Sequence, residues 1–348
     1  MFKKLIHFLI RLIFTIFILA VIIGVPSAWM IHRSYNDPEV HYFYTKADMA
    51  EAEPEAEVTE AAGPEAETSK TAEPETEDAE TDDPNKEGSQ SLRFVVLSDL
   101  YGYVFEGGNG IIADLVSSTF PDAILIGGNL INGDAEDFTQ TTDLMKRLSQ
   151  IAPVYYAYGE QELRYVQKHS AGGADPSASD PLREALKKAG AVVLNEEYKD
   201  VKIYGINVRI GSVNTKAYEL TNMNGDVKRK TEKTWDLLNA FQDTDRLKIM
   251  LSNRTENFVL GDACEKWNID LIVSGSDLGG LVVLPYYGGV FSNAQGYFPE
   301  YIHGMYEKEN AKLLITSGLS APSGFPPRFN NPPEIAVLDI DGLSRAAK

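Results

Sequence analysis

Arg93-Phe-Val-Val-Leu-Ser98, running straight into Asp99-Leu-Tyr101, is the stretch on which the fold turns. Four consecutive apolar residues closed by a polar turn read as a strand buried on both faces, since a half-exposed strand would alternate. A Gly-rich loop follows, then a helix near residues 110–119. Asp122-Ala-Ile-Leu-Ile-Gly127 repeats the pattern as a second strand, with a helix around 138–150. Further strands are expected at 153–157, 191–194, 247–251 and 269–273, with two short ones around Gly205 and helices at 181–189 and 232–241. The stretch 281–340 reads as mostly β with many turns. Strands alternating with helices indicate an α/β layered domain over residues 92–348.

The flanks are of another kind. Residues 12–31 form 20 positions without a charge, long enough at 1.5 Å per residue to cross a hydrocarbon layer of about 30 Å. Lys3, Lys4 and Arg11 precede this stretch, which predicts a cytoplasmic N-terminus, an uncleaved single-pass anchor over residues 1–35, and an extracytoplasmic remainder at the cell membrane. Residues 36–91 are expected to be an acidic, Pro/Glu-rich disordered linker. Between Asp48 and Glu87 there are 16 acidic residues and two lysines, a net of −14 out of −19 for the chain. Such a composition buries too little apolar surface to offset its ordering entropy. An acidic chain argues against nucleic-acid partners. The single cysteine, Cys264, excludes an internal disulfide and any thiolate-rich zinc site, and reads as a buried helix residue.

The strand ends are where an α/β fold places its chemistry. In order they read Ser98-Asp-Leu-Tyr101, Gly127-Gly-Asn-Leu-Ile-Asn-Gly133, Tyr158-Gly-Glu-Gln-Glu162, Leu251-Ser-Asn-Arg254 and Ser274-Gly-Ser-Asp-Leu-Gly-Gly280. This series resembles the calcineurin-like metallophosphoesterase family, in its bacterial membrane-anchored branch, over essentially the whole of 92–348. The resemblance extends to Gly288-Gly-Val-Phe-Ser-Asn-Ala-Gln-Gly-Tyr-Phe-Pro299 and Pro327-Arg-Phe-Asn-Asn-Pro332. It implies a four-layer α/β/β/α sandwich. It also implies two metals such as Mn, Fe or Zn about 3.5–4 Å apart, held by Asp and His around a bridging carboxylate and activating a water for attack on phosphorus.

Set against that pattern, Asp99 keeps the first ligand position, but the expected histidine two residues on is Tyr101. The bridging aspartate is Asn129, the asparagine ligand of the third motif is Glu160, and the catalytic histidine is Gln161. The fourth motif's histidine is Asn253. In the fifth motif Ser276 and Leu278 stand where histidines are expected. Five imidazoles are missing, and of the five histidines in the chain only His169 and His303 lie within 92–348, outside every motif. His7, His32 and His41 belong to the N-terminal segment, out of reach of a site in the folded part. An amide is a weak, uncharged ligand and a glutamine is no general acid. The expectation is a pseudoenzyme that binds a cell-envelope ligand or a membrane protein. Asp99, Asn129, Glu160 and Asn253 are residual ligand positions for at most one weakly held divalent cation. Residual metal-dependent hydrolysis is the alternative. Tyr101, Tyr103, Tyr156, Tyr158, Tyr286, Tyr287, Tyr297 and Tyr301 either form a stacking rim or pack in the sheets.

Overall fold

The computed structural model describes residues 15, 21–47, 90–169, 180–213, 232–275, 277–322 and 326–343. A helix at 21–36 (α1) leads into β1 (Glu39–Lys46). There follow β2 (Gln90–Leu97), α2 (Gly110–Ser118), β3 (Ala123–Ile126), α3 (Thr139–Leu148), β4 (Val154–Ala157), α4 (Glu160–His169), α5 (Pro181–Lys188) and β5 (Ala191–Leu194). The second half runs through β6 (Tyr198–Ile203), β7 (Ile206–Val213), α6 (Glu232–Gln242), β8 (Leu247–Ser252), α7 (Glu256–Val259), α8 (Ala263–Lys266) and β9 (Leu271–Ser274). It ends with β10 (Val283–Leu284), β11 (Gly288–Gly289), β12 (Phe291–Ser292), β13 (Gly296–Tyr297), β14 (Gly304–Lys308), β15 (Ala311–Ile315) and β16 (Glu334–Leu343).

Two six-stranded sheets result, ordered β1-β16-β2-β3-β4-β5 and β14-β15-β9-β8-β7-β6. Strands β2 to β5 are parallel, as are β7, β8, β9 and β15, so their C-terminal ends gather at one edge of each sheet. The sequence period sets the layers. Phe94 and Val96 pack with Val208, Ile249 and Val273 between the sheets, whereas Val95 and Leu97 pack with Ile112, Val116 and Leu144 under α2 and α3. On the far side Met250, Ile272 and Leu313 meet Leu238, Phe241 and Cys264 from α6 and α8. Every one of these residues is buried, at roughly 1.5–3 kcal/mol for a large apolar side chain. The helices are locally encoded too: Asp180 caps α5 by accepting from Arg183 N at 2.9 Å, and Pro181 supplies the fixed φ of the first turn. Cys264 is buried, and burial pushes its thiol up to about 11.

The N-terminal expectations need correction. Glu39–Lys46 is not linker but strand β1, parallel to β16 from Glu39↔Glu334 to Lys46↔Asp341. The aromatic and β-branched run Val40-His-Tyr-Phe-Tyr-Thr45 is the cause, for it fits a half-buried sheet edge, and the acidic composition begins only at Asp48. Residues 48–89, nearly all of the expected linker, lie outside the described residues. So do residues 12–14 and 16–20 of the expected span 12–31, and among the described residues no helix is long and apolar enough to cross a membrane. Helix α1 exposes Val21, Ile22, Ile23, Val25 and Trp29, while its last turn docks on the domain. There the Tyr35 hydroxyl accepts from Arg328 N at 3.0 Å and Ser34 Oγ accepts from Asn331 N at 3.0 Å. The separation of His41 from the folded part also fails. Strand β1 brings His41 Nδ1 to 2.8 Å from Glu334 Oε1, and His303 Nε2 lies 2.7 Å from the same oxygen.

Candidate functional site

Both sheets contribute strand ends to one cluster of loops. Asp99 follows β2, Asn129 follows β3, Glu160 opens α4 after β4, Asn253 follows β8 and Asp277 follows β9. Asp99, Tyr101, Asn129 and Leu278 all take left-handed backbone, with φ of 56°, 53°, 56° and 51°. Such conformations cost about 1–3 kcal/mol each outside glycine and persist where the surroundings over-determine them. The loops are held close. A Cβ on Gly128 would stand 2.5 Å from Gly159 N, and one on Gly275 would stand 2.4 Å from Asp99 Oδ2. Those two positions therefore require glycine.

Asp99, Asn129 and Asn253 come together, all buried. Asn129 Nδ2 donates to Asp99 Oδ1 at 2.9 Å, to Asn253 Oδ1 at 3.0 Å and, more weakly, to the Tyr101 hydroxyl at 3.4 Å. Asn129 Oδ1 accepts from Gln161 N at 3.0 Å, and Asn253 Nδ2 donates across the sheets to Gly127 O at 3.1 Å. The second carboxylate oxygen of Asp99 accepts from Ser98 Oγ at 2.7 Å. Burial, reinforced by Asp99, pushes the Tyr101 phenol well above its ordinary value, so it remains a proton donor.

Two expected positions are turned elsewhere. The Glu160 carboxylate pairs with the Arg254 guanidinium, which also donates to Glu256 Oε1 at 3.0 Å. Burial alone would lower Arg254, but the two glutamates outweigh it and the guanidinium is held charged. The Gln161 side chain accepts from Gly133 N at 3.0 Å, within the loop of the second motif. Ser276 lies outside the described residues. Asp277 Oδ1 accepts from Ser292 Oγ at 3.0 Å, and its Oδ2 is buried with no hydrogen-bond partner among the described residues. Burial, then Glu256, pushes this carboxyl up to about 7.

Arg254 and Glu162 carry roles that sequence reasoning did not assign. Glu162 is fully buried and organises the loop of the second motif, accepting from Asn129 N at 2.8 Å, Leu130 N at 2.9 Å and Gly159 N at 2.9 Å, with the Tyr156 hydroxyl at 2.8 Å. Burial raises its pKa even against those donors. The signal available was charge: Arg254 is a basic residue placed inside a metal-ligand motif, and Glu162 is a second acid two residues after Glu160.

The metals that the motif resemblance implies can be tested against this donor set. A binuclear centre needs an anionic oxygen between two cations. Here an amide N–H₂ group takes the bridging place and points at the Asp99 oxygen, and Glu160 is engaged by a guanidinium. The residues present do not fit two metals. The tyrosines divide between the two readings: Tyr156 and Tyr158 are buried, while Tyr286, Tyr287 and Tyr297 are exposed on the loops around β10 to β13.

Among solved structures, the chain is similar to a Staphylococcus aureus protein described as a 5'-nucleotidase (11% identity, 66% of this chain and 49% of that chain, TM-score 0.42). It is similar to a 5'-nucleotidase precursor from Thermus thermophilus (16% identity, 65% and 48%, TM-score 0.40). A phosphopantetheinyl hydrolase from Mycobacterium tuberculosis matches at 12% identity over 63% and 86%, with a TM-score of 0.38. The likeness is one of fold. The chain spans about half the length of the two nucleotidases. No family model matches the chain, and no curated protein does.

Proposed function

We propose that this chain is a membrane-anchored, extracytoplasmic protein of the metallophosphoesterase fold that acts by binding rather than by hydrolysis. One observation carries the reading: the Asn129 amide donates to Asp99 and Asn253 from the place of the bridging carboxylate. A hydrogen-bond donor there satisfies Asp99 without a cation, and the buried site is neutralised rather than left with unpaired charge. Arg254 between Glu160 and Glu256 extends the same compensation to the rim. Loss of the imidazoles and of the general acid at Gln161 removes parts that act as a unit, which costs many powers of ten in rate.

The anchor rests on the uncharged stretch 12–31, its preceding basic residues and the exposed apolar face of α1. The ligand would be a component of the cell envelope or another membrane protein, met at the tyrosine-bearing loops and the Arg254 rim. The second reading, a residual one-metal hydrolase on Asp99 and Glu160, is weakened by the pairing of Glu160 with Arg254. The test is a phosphodiesterase assay of the detergent-solubilised full chain on bis(p-nitrophenyl) phosphate with excess Mn²⁺. No turnover above buffer is expected. Mn²⁺-dependent turnover that disappears in Asp99→Ala would overturn the proposal.

A further inference from the structure

Outside those loops, one cluster has the composition of a metal site. The ligand atoms of His41, His303 and Glu334 all lie within 4.8 Å of one another, the sole such group of three among the described residues. They come from three separate parts of the chain: His41 from edge strand β1, His303 from the turn before β14, and Glu334 from the first position of β16. The carboxylate is oriented from behind. Its Oε2 accepts from Thr316 Oγ1 at 2.7 Å and Ser317 N at 2.6 Å, and its Oε1 faces the two imidazoles. Behind His41, the other ring nitrogen lies 3.4 Å from Glu39 Oε2, and Glu39 is itself paired with Arg33.

The geometry points to a borderline divalent cation, of which Zn²⁺ is the type, bound by His41 Nδ1, His303 Nε2 and Glu334 Oε1 with a fourth position open to solvent. Two neutral imidazoles and an anionic oxygen form the N/N/O set that zinc accepts and that magnesium and calcium do not favour. The carboxylate–histidine pair of Glu39 and His41 is the outer arrangement that fixes ring tautomer in such sites. Bond lengths near 2.0–2.2 Å in a tetrahedron separate ligand atoms by about 3.3 Å, so each imidazole need move outward by only about half an ångström. Both rings are more than one-third exposed, whereas Glu334 is fully buried and held by Thr316 and Ser317. The ion would join β1 to β16 and to the turn before β14, fastening the N-terminal strand to the domain. This site shares no ligand with the Asp99 loops, so it stands or falls apart from the proposed function.

The test is calorimetric titration of ZnCl₂ into the untagged, EDTA-stripped full chain in detergent, with Co²⁺ absorption as a second readout. One equivalent of Zn²⁺ is expected, with a tetrahedral Co²⁺ spectrum and no uptake of Mg²⁺ or Ca²⁺. His41→Ala and His303→Ala should each weaken binding at least 100-fold, and Glu39→Gln about 10–100-fold. Absence of Zn²⁺ uptake, or uptake unchanged in both histidine variants, would each overturn the inference.

Discussion

Asn129→Asp is the sharpest probe of the candidate site. The change swaps one amide nitrogen for an oxygen and leaves the side chain's shape unaltered. In the protein that nitrogen stands 2.9 Å from Asp99 Oδ1 and 3.0 Å from Asn253 Oδ1. With aspartate, two donated bonds vanish and a second carboxylate faces the first at hydrogen-bond distance. At an effective dielectric of about 20, two unit charges that close repel by about 5–6 kcal/mol, or about 4 pKa units. The pair therefore shares a proton up to well above neutrality. A raised carboxyl pKa stabilises the folded state only while the proton is bound, so the loss grows as pH rises from about 4 through the pair's upper pKa. The variant should melt on the order of 10 °C below wild type at pH 8 in EDTA, and close to it at pH 5. Adding Mn²⁺ at pH 8 should recover part of the loss, because a cation replaces the missing proton. Thermal unfolding followed by circular dichroism reads all four conditions. A variant as stable as wild type at pH 8 in EDTA would refute the assignment of Asn129 as the donor at the centre of the site.

Other substitutions test the supports of the same loops. Asp277 holds its proton to about pH 7, so wild-type stability should decline by a few kcal/mol between about pH 4 and pH 7 on its account. Asp277→Asn should flatten that slope in urea titrations, and an unchanged slope would count against the buried Oδ2. Glu162→Gln sets an N–H₂ against backbone donors and should cost about 3–5 kcal/mol, read from the urea midpoint at constant m-value. Gly128→Ala forces a methyl to 2.5 Å from Gly159 N at a φ of +89° and should cost roughly 2–5 kcal/mol. A neutral result there would mean that the two loops are not in contact.

The layered domain was legible because its parallel strands are buried on both faces. Phe94-Val-Val-Leu97 and Ala123-Ile-Leu-Ile126 carry a continuous apolar signal bounded by glycine or polar turns. Helix α4 was missed: polar and charged residues flank its short apolar group Leu163, Tyr165 and Val166, and it folds because Glu162 and Tyr165 are buried beneath it while Leu163 and Val166 pack on the core. Strand β1 was missed because its short β-prone run sits between an apolar stretch and an acidic one, and its pairing partner lies nearly 300 residues away. Asp99, Asn129 and Asn253, which residue order groups together, are joined by hydrogen bonds through the Asn129 amide. Residue order did not foresee that Arg254 would claim Glu160, since the reach of a guanidinium across two loops is a tertiary fact. The His41–Glu334–His303 group was hidden for the same reason as β1, being assembled by that edge pairing.

Strand β1 also changes what the acidic segment is for. Lys46 and Gln90 sit beside the same end of β16, opposite Asp341 and Leu343 respectively, so the residues between them leave and re-enter one sheet at points only about two strand spacings apart, roughly 10 Å. A stalk works in series: each residue added carries its cargo farther from the base. A segment that departs and returns works in parallel, and lengthening it enlarges a side loop while the height of the domain above α1 stays set by the Ser34 and Tyr35 contacts. Closure entropy rises only as the logarithm of loop length, so a −14 appendage can grow or shrink at little thermodynamic expense.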